Sequence, residues 1–111
     1  MEISHLVQDR ALIITPLGEH LDARESSEFK EKIFELLDQT TPPRVIFDFK
    51  KLQFIDSSGL GCLLSILRKL NSRGTPLKLA NLSEPVRSLF ELVLMHKIFD
   101  IAPDLGAALK S

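Results

Sequence analysis

The fold is decided by one stretch near the middle of the chain, Val45-Ile46-Phe47-Asp48-Phe49-Lys50-Lys51-Leu52-Gln53-Phe54-Ile55-Asp56-Ser57-Ser58-Gly59-Leu60-Gly61. Its first five residues are β-branched or aromatic around a single aspartate, which predicts a strand buried on both faces in the middle of a sheet. Leucines then recur at helical spacing from Leu60 to Leu70, until Asn71-Ser72-Arg73-Gly74 supplies a basic last turn and a glycine stop. A buried strand followed by an apolar helix is typical of α/β proteins.

Before this stretch, two short apolar-polar segments, Ile3–Val7 and Ala11–Leu17, predict a strand pair around Gln8-Asp9-Arg10. A helix is predicted from about Arg24 to Gln39, because four apolar residues share one face and Asp22 begins an Asp-x-x-Glu capping signal. The four apolar residues are Phe29, Ile33, Leu36 and Leu37.

After the central stretch, strands and helices are predicted to alternate as Leu77–Ala80, Ser83–Val93, Lys97–Ile101 and Asp104–Lys110. We therefore expect a single α/β domain over residues 1–111, with a mixed central sheet of about five strands covered by about four helices.

Composition and charge exclude several classes of function. Fourteen Lys and Arg stand against fifteen Asp and Glu, and there is no Trp or Tyr, so neither a basic surface nor stacking platforms for nucleic acid are expected. The longest uncharged run, Ser57–Leu67, has eleven residues and is too short to span a bilayer. The N-terminus lacks the pattern of a signal peptide, and Cys62 lies in an apolar run where an inert buried thiol is expected. These features predict a soluble cytoplasmic protein.

The segment Leu52–Leu67 contains one charged residue, Asp56, where the chain average of 26% would give about four, so we expect it to be buried on both sides. Within it lies the polar turn Asp56-Ser57-Ser58-Gly59-Leu60-Gly61, predicted at the carboxyl edge of the sheet, where ligands and partners commonly bind.

Two interpretations of this turn are open. In one, Asp56 or Ser57 is simply a helix N-cap, worth about 1 kcal/mol. In the other, the turn is a contact surface, because a cap needs one residue whereas this turn has a carboxylate and two hydroxyls. Gly59 and Gly61 would each cost roughly 0.5–1 kcal/mol of helix stability relative to Ala, a cost consistent with the close approach of another chain.

Phe54-Ile55-Asp56-Ser57-Ser58-Gly59-Leu60-Gly61 resembles the signature of the STAS domain family, and specifically of the bacterial anti-sigma factor antagonists. The resemblance extends over nearly the whole chain, through its length, its element order, a Gly-x-Leu-Asp-like stretch before the first helix and the Ser-x-x-Val-x-x-Leu-Phe run of Ser83–Phe90. One departure is Gly18-Glu19-His20-Leu21-Asp22, which is one residue longer than the family pattern and in which His20 is expected to be an exposed loop residue.

The resemblance implies that Ser57 is phosphorylated by an anti-sigma factor that is also an ATP-dependent serine kinase, and that a PP2C-type phosphatase reverses the modification. The unphosphorylated protein would bind the kinase and free the sigma factor, and the phosphorylated protein would dissociate from the kinase. No catalytic residue, metal or cofactor is implied. The expected partner-binding residues are Asp22, Asp56, Ser57, Ser58, Gly59, Leu60 and Gly61.

Other functions are less well supported by the residues. A hydrolase with Ser57 as nucleophile would need a Gly-x-Ser-x-Gly turn, which is absent, and none of His5, His20 and His96 is marked as its base. Gly59-Leu60-Gly61 is a weak signal for a nucleotide site, because no Gly-x-x-x-x-Gly-Lys-Ser/Thr motif occurs, and nucleotide binding stays open as an alternative. Within the family, the alternatives are a switch controlling secretion or polysaccharide synthesis, or a subunit of a lipid transporter. The transporter role requires no phosphorylatable serine.

Overall fold

Seven strands and four α-helices are present in the computed structural model, which describes all of residues 1–111. The strands are β1 (Ile3–Gln8), β2 (Ala11–Pro16), β3 (His20–Leu21), β4 (Arg44–Asp48), β5 (Phe54–Ile55), β6 (Leu77–Ala80) and β7 (Asp100–Ala102). The helices are α1 (Ser26–Thr40), α2 (Ser57–Ser72), α3 (Glu84–Leu92) and α4 (Leu105–Lys110).

Five of the strands form one sheet in the order β1-β2-β4-β6-β7. The β1–β2 pair is antiparallel and the other three pairs are parallel, which confirms the predicted mixed sheet and the α/β class. Strand β4 lies at the centre and is buried on both faces as predicted. Val45 and Phe47 belong to the larger core with α1, α2 and α3, while Ile46 faces the smaller core with α4.

The remaining two strands, β3 and β5, form a small parallel sheet of their own, in which His20 lies opposite Phe54 and Leu21 opposite Ile55. The sequence did not predict this sheet. Two-residue strands are too short to show the alternation by which strands are recognised. Because β5 leads directly into α2, the Ser57 turn follows this small sheet. The sequence had suggested instead that the turn follows a strand of the main sheet.

Two predicted boundaries need correction. Helix α1 begins at Ser26 rather than Arg24, because the Asp22 carbonyl accepts hydrogen bonds from the N–H groups of Glu25 and Ser26 and closes a turn before the helix. The strand predicted over Lys97–Ile101 is wrong in its first half. Met95–Lys97 form a 3-10 turn, and the strand β7 begins only at Asp100.

The β1–β2 hairpin turns through Asp9 and Arg10, whose φ angles are 52° and 66°. Two consecutive positive φ angles are the mark of a type I′ turn, which matches the twist of a hairpin and favours Asn-Gly. An arginine at the second position keeps a Cβ in the left-handed region, which is unfavourable for residues other than glycine.

Replacing Arg10 by glycine should therefore raise the free energy of unfolding by roughly 0.5–1 kcal/mol, since glycine adopts the positive φ without steric cost. Urea denaturation in dilute solution measures the change. The control is Arg10→Ala, which keeps the Cβ and should give no gain. An equal gain from alanine would show that the arginine side chain, and not its backbone angle, is the unfavourable element.

Candidate functional site

The candidate site is the turn where β5 passes into α2, and the Asp56 carboxylate organises it. Asp56 has extended backbone angles and is the N-cap of α2, with Oδ1 accepting the Gly59 N–H at 3.0 Å. Its other oxygen, Oδ2, accepts the Ala23 N–H at 3.1 Å, from the loop that precedes α1. The capping interpretation is thus correct for Asp56, and Ser57 is the first residue of the helix rather than its cap.

Further backbone hydrogen bonds fasten the loop before α1 to this turn. The Glu19 carbonyl accepts the N–H groups of Gln53 at 2.7 Å and Phe54 at 3.0 Å, and the Leu21 carbonyl accepts the Asp56 N–H at 3.3 Å. The lengthened Gly18–Asp22 stretch therefore still lies directly against the Ser57 turn. Its extra length does not move the loop away from the site.

Asp22 uses its carboxylate within its own loop. Its Oδ1 accepts the N–H groups of Arg24 at 3.0 Å and Glu25 at 3.3 Å, and Oδ2 lies 3.7 Å from the Arg24 guanidinium. The Asp22 side chain is only 18% exposed. The structure therefore presents Asp22 as the residue that shapes the loop beside the turn.

The two glycines of the turn have different roles. A Cβ on Gly59 would lie 2.3 Å from the Leu21 carbonyl oxygen and 2.7 Å from Ile55 Cγ1, so the packing of the chain itself requires glycine there. A Cβ on Gly61 would meet nothing within 4 Å. The expectation that both glycines leave room for another chain therefore holds only for Gly61, where the backbone is exposed.

Exposure divides the motif into two sets. Gly59 and Leu60 are buried, whereas Ser57, Ser58 and Gly61 are exposed. The hydroxyls of Ser57 and Ser58 make no hydrogen bond within the chain, and their backbone N–H groups have no partner. The expectation that Leu52–Leu67 is buried on both sides is wrong at this face of α2, which is open from its first residue.

Helix α1 contributes a second wall to the site that the sequence did not reveal. A groove of about 300 Å³ runs between the first turns of α1 and α2, lined by Ser26, Ser27 and Lys30 on one side and by Ser58, Gly61 and Ser65 on the other. The Lys30 ammonium group forms no ion pair. No sequence spacing links these two helix N-termini, which the small sheet and the Asp56–Ala23 hydrogen bond bring together.

Two aromatic side chains flank the site on its other side. Phe54 is 50% exposed, and its ring meets the His20 ring edge to face at a centroid distance of 5.7 Å. His20 is exposed as predicted, but it lies in β3 rather than in a loop. No histidine hydrogen-bonds to Ser57, so the arrangement of a serine nucleophile activated by a base is not formed here.

Cys62 lies at the bottom of the groove. It is 6% exposed, and burial raises the pKa of its thiol from 9.0 to about 11. Because the thiolate is the reactive form, the groove offers no activated cysteine at neutral pH. Elsewhere in the chain, no helix combines the length and apolarity needed to cross a membrane.

The glycines supply a matched pair of stability tests. Gly59→Ala should lower the free energy of unfolding by about 1–3 kcal/mol, because the Leu21 backbone must move to admit the methyl group. Gly61→Ala should raise it by roughly 0.5–1 kcal/mol, since alanine is the better helix former in open space. Urea denaturation of both variants checks the two signs. Equal effects at the two positions would contradict the close contact of Gly59 with Leu21.

Cys62 should react slowly with a disulfide reagent in the native protein. With a pKa of about 11 instead of 9.0, the thiolate fraction at pH 8 falls about 100-fold, and burial slows the reaction further. The native rate should climb about tenfold per unit between pH 8 and pH 10. In urea, where the protein is unfolded and the thiol has its ordinary pKa of 9.0, the reaction rate should level off near pH 9. A native rate that also levels off near pH 9 would show that the thiol is not buried as described.

Comparison with known proteins identifies the family of this chain. The profile of the STAS domain matches residues 2–108. An anti-sigma F factor antagonist of Paenibacillus polymyxa is 28% identical over 92 residues, which are 83% of this chain and 79% of that protein. An anti-sigma-B factor antagonist of Bacillus subtilis (strain 168) is 30% identical over 82 residues, which are 74% of this chain and 73% of that protein.

Solved structures show the same fold. A candidate anti-sigma factor antagonist from Thermotoga maritima superposes with a TM-score of 0.89 at 23% identity, covering 97% of this chain and 92% of that chain. The phosphorylated form of the Bacillus cell fate determinant SpoIIAA gives a TM-score of 0.70 at 24% identity, with 98% of both chains covered. From the matched profile and from relatives that are anti-sigma factor antagonists, we conclude that this chain belongs to the STAS domain family.

Proposed function

We propose that this protein is an anti-sigma factor antagonist that works by partner switching. In its unphosphorylated form it binds an anti-sigma factor that is also a serine kinase, and the sigma factor is released. Phosphorylation of Ser57 ends that binding, and a PP2C-type phosphatase restores it. The protein is a substrate and a binding partner in this circuit, with no catalysis of its own, and it acts in the cytoplasm, where ATP is available to the kinase.

The observation that carries this proposal is the state of the Ser57 hydroxyl. It is exposed on the first residue of α2 and is free of hydrogen bonds within the chain, so a kinase can reach it without unfolding the helix. Beside it, Ser58 and the bare backbone of Gly61 leave a surface with little side-chain bulk. The antagonists among the relatives support the same class of partner.

A phosphate on Ser57 is compatible with the intact fold. Both oxygens of the neighbouring Asp56 are already held by backbone N–H groups, and the N–H groups of Ser57 and Ser58, at the N-terminus of α2, are unpaired. Helix N-termini favour anions, so the added charge of about −1.5 to −2 should not melt α2.

The switch therefore acts on the interface and not on the fold. The new charge lies next to the Asp56 carboxylate and fills the space that a partner needs, so repulsion and desolvation oppose binding. A hundredfold rise in the dissociation constant requires only about 2.7 kcal/mol, which is within reach of such an effect.

Within the proposed interface, some motif residues would contact the partner and others would support the contact surface. Ser57, Ser58 and Gly61 would touch the partner directly. Asp22, Asp56, Gly59 and Leu60 would act by holding the surface in shape, since they are buried or bonded within the chain. The free Ser57 hydroxyl favours a switch over the lipid-transporter role, and the names of the relatives favour a sigma factor over secretion or polysaccharide synthesis as the target.

The test is phosphorylation by a candidate anti-sigma factor kinase with ATP, followed by mapping of the phosphate by mass spectrometry. We expect modification at Ser57 alone, its loss in Ser57→Ala, and its retention in the matched control Ser58→Ala. Ser57→Asp should weaken kinase binding by about one order of magnitude, because aspartate carries less charge than phosphate. A phosphate on Ser58, or kinase binding unchanged in Ser57→Asp, would refute the proposed switch.

A further inference from the structure

We propose that the strand β1 is a pairing edge through which two copies of this chain form a symmetric dimer. Strand β1 ends the strand order of the main sheet, so one of its sides has no neighbour. Its six residues, Ile3-Ser4-His5-Leu6-Val7-Gln8, include no charge and no proline. Edge strands are usually protected from pairing by charges, proline, bulges or shortness, and β1 has none of these protections.

The opposite edge of the sheet shows the contrast. Strand β7 has only three residues, begins with Asp100 and is followed directly by Pro103. Its length, charge and proline each disfavour pairing with another chain. A copy of this chain would therefore pair at β1 and not at β7, which gives a closed two-fold dimer and no open-ended polymer.

The hydrogen-bond pattern shows which backbone groups of β1 are free. The Glu2 carbonyl accepts the Leu17 N–H, so Glu2 and Leu17 form a hydrogen-bonded pair. Because hydrogen-bonded and non-hydrogen-bonded pairs alternate in an antiparallel ladder, every second pair along β1 is also hydrogen-bonded to β2. The backbone groups of Ser4, Leu6 and Gln8 consequently point towards β2. Pro16, which has no N–H, lies opposite Ile3 in agreement with this phase. The N–H and C=O groups of Ile3, His5 and Val7 point outwards.

This pattern selects one register for self-pairing. In an antiparallel pair of β1 strands, all outward groups of Ile3, His5 and Val7 are engaged only when His5 faces His5 of the other copy. Ile3 then lies opposite Val7 of that copy. Any shift by two residues leaves outward groups at the ends of both strands unpaired. The two-fold axis passes between the two His5 residues, and the two sheets join into one.

The side chains support the same register. Val7 and His5 lie opposite Leu12 and Ile14, two residues of the larger core, so they face the same side as α1, α2 and α3. Val7 is 70% exposed, and self-pairing would cover it with Ile3 of the other copy, a β-branched pair suited to adjacent strands.

The charged residues that flank β1 do not oppose this register. Glu2 lies opposite Gln8 of the other copy, and the hairpin turn beyond Gln8 carries Asp9 and Arg10, which are of opposite charge. Neither Glu2 nor Arg10 forms an ion pair within the chain. Each Glu2 would thus lie near a turn whose Arg10 has no ion pair of its own. The pairing strand contributes no residue to the Ser57 site, so this inference stands apart from the proposed function.

One short strand buries less area than a standard interface of about 1,600 Å², so we expect a weak dimer with a dissociation constant of roughly 10 µM to 1 mM. Sedimentation velocity of the full chain at rising concentration measures it. Hydrogen exchange should show concentration-dependent protection of the Ile3, His5 and Val7 amides. A protein that stays monomeric at about 1 mM, or a dimer that leaves these amides unprotected, would overturn the proposal.

Charge-swapped variants test the register itself. His5→Lys and His5→Glu should each be monomeric, because like charges would face each other across the axis, and an equimolar mixture should form a heterodimer. His5 is exposed, so both variants should keep the native circular dichroism spectrum. The matched controls Ser88→Lys and Ser88→Glu change an exposed residue of α3 and should dimerise like the unaltered protein. Dimers that persist in both His5 variants alone would refute this register.

Discussion

The arrangement of this protein depends on one carboxylate with two hydrogen-bonding partners. The two oxygens of Asp56 accept N–H groups from Gly59, in the first turn of α2, and from Ala23, in the loop before α1. The small sheet and the packing of α1 against α2 also join these segments, but only this link connects the cap of α2 to the loop before α1 through a side chain. With it, the beginnings of α1 and α2 form one rigid corner, and every exposed group of the site is positioned from that corner.

The two interpretations of the Asp56–Gly61 motif turn out to be compatible. Capping and recognition do not compete for the same atoms, because Asp56 provides the cap and leaves both serine hydroxyls free. A polar cap is needed wherever a helix begins, and here it also holds two hydroxyl-bearing residues in helical geometry at the surface. A structural requirement of the helix thereby supplies a surface on which a modification can act without disturbing the core.

The sequence predicted the elements that have a long repeating pattern and missed those defined by contacts between distant segments. The helical stripes of α1 and α2 and the apolar run of β4 are strong local signals. Ser83 and Asp104 cap the N-termini of α3 and α4, at the positions where the sequence predicted these helices to begin. The strand β7 was placed too early because Ile98 fits a strand pattern, whereas the left-handed backbone of Leu94 starts a further turn. The groove wall from Lys30 and the difference between Gly59 and Gly61 depend on packing, which residue type alone does not show.

The contact between Gly59 and the Leu21 carbonyl has a consequence for how such a protein can diverge. Position 59 cannot accept any side chain without displacing backbone, while position 61, one half-turn further along the same helix, accepts a methyl group without contact. Under the proposed function, folding and recognition are therefore assigned to different residues of one short motif. A substitution on the open face can therefore change the surface and leave the fold intact, so surfaces built on this corner can diverge one residue at a time.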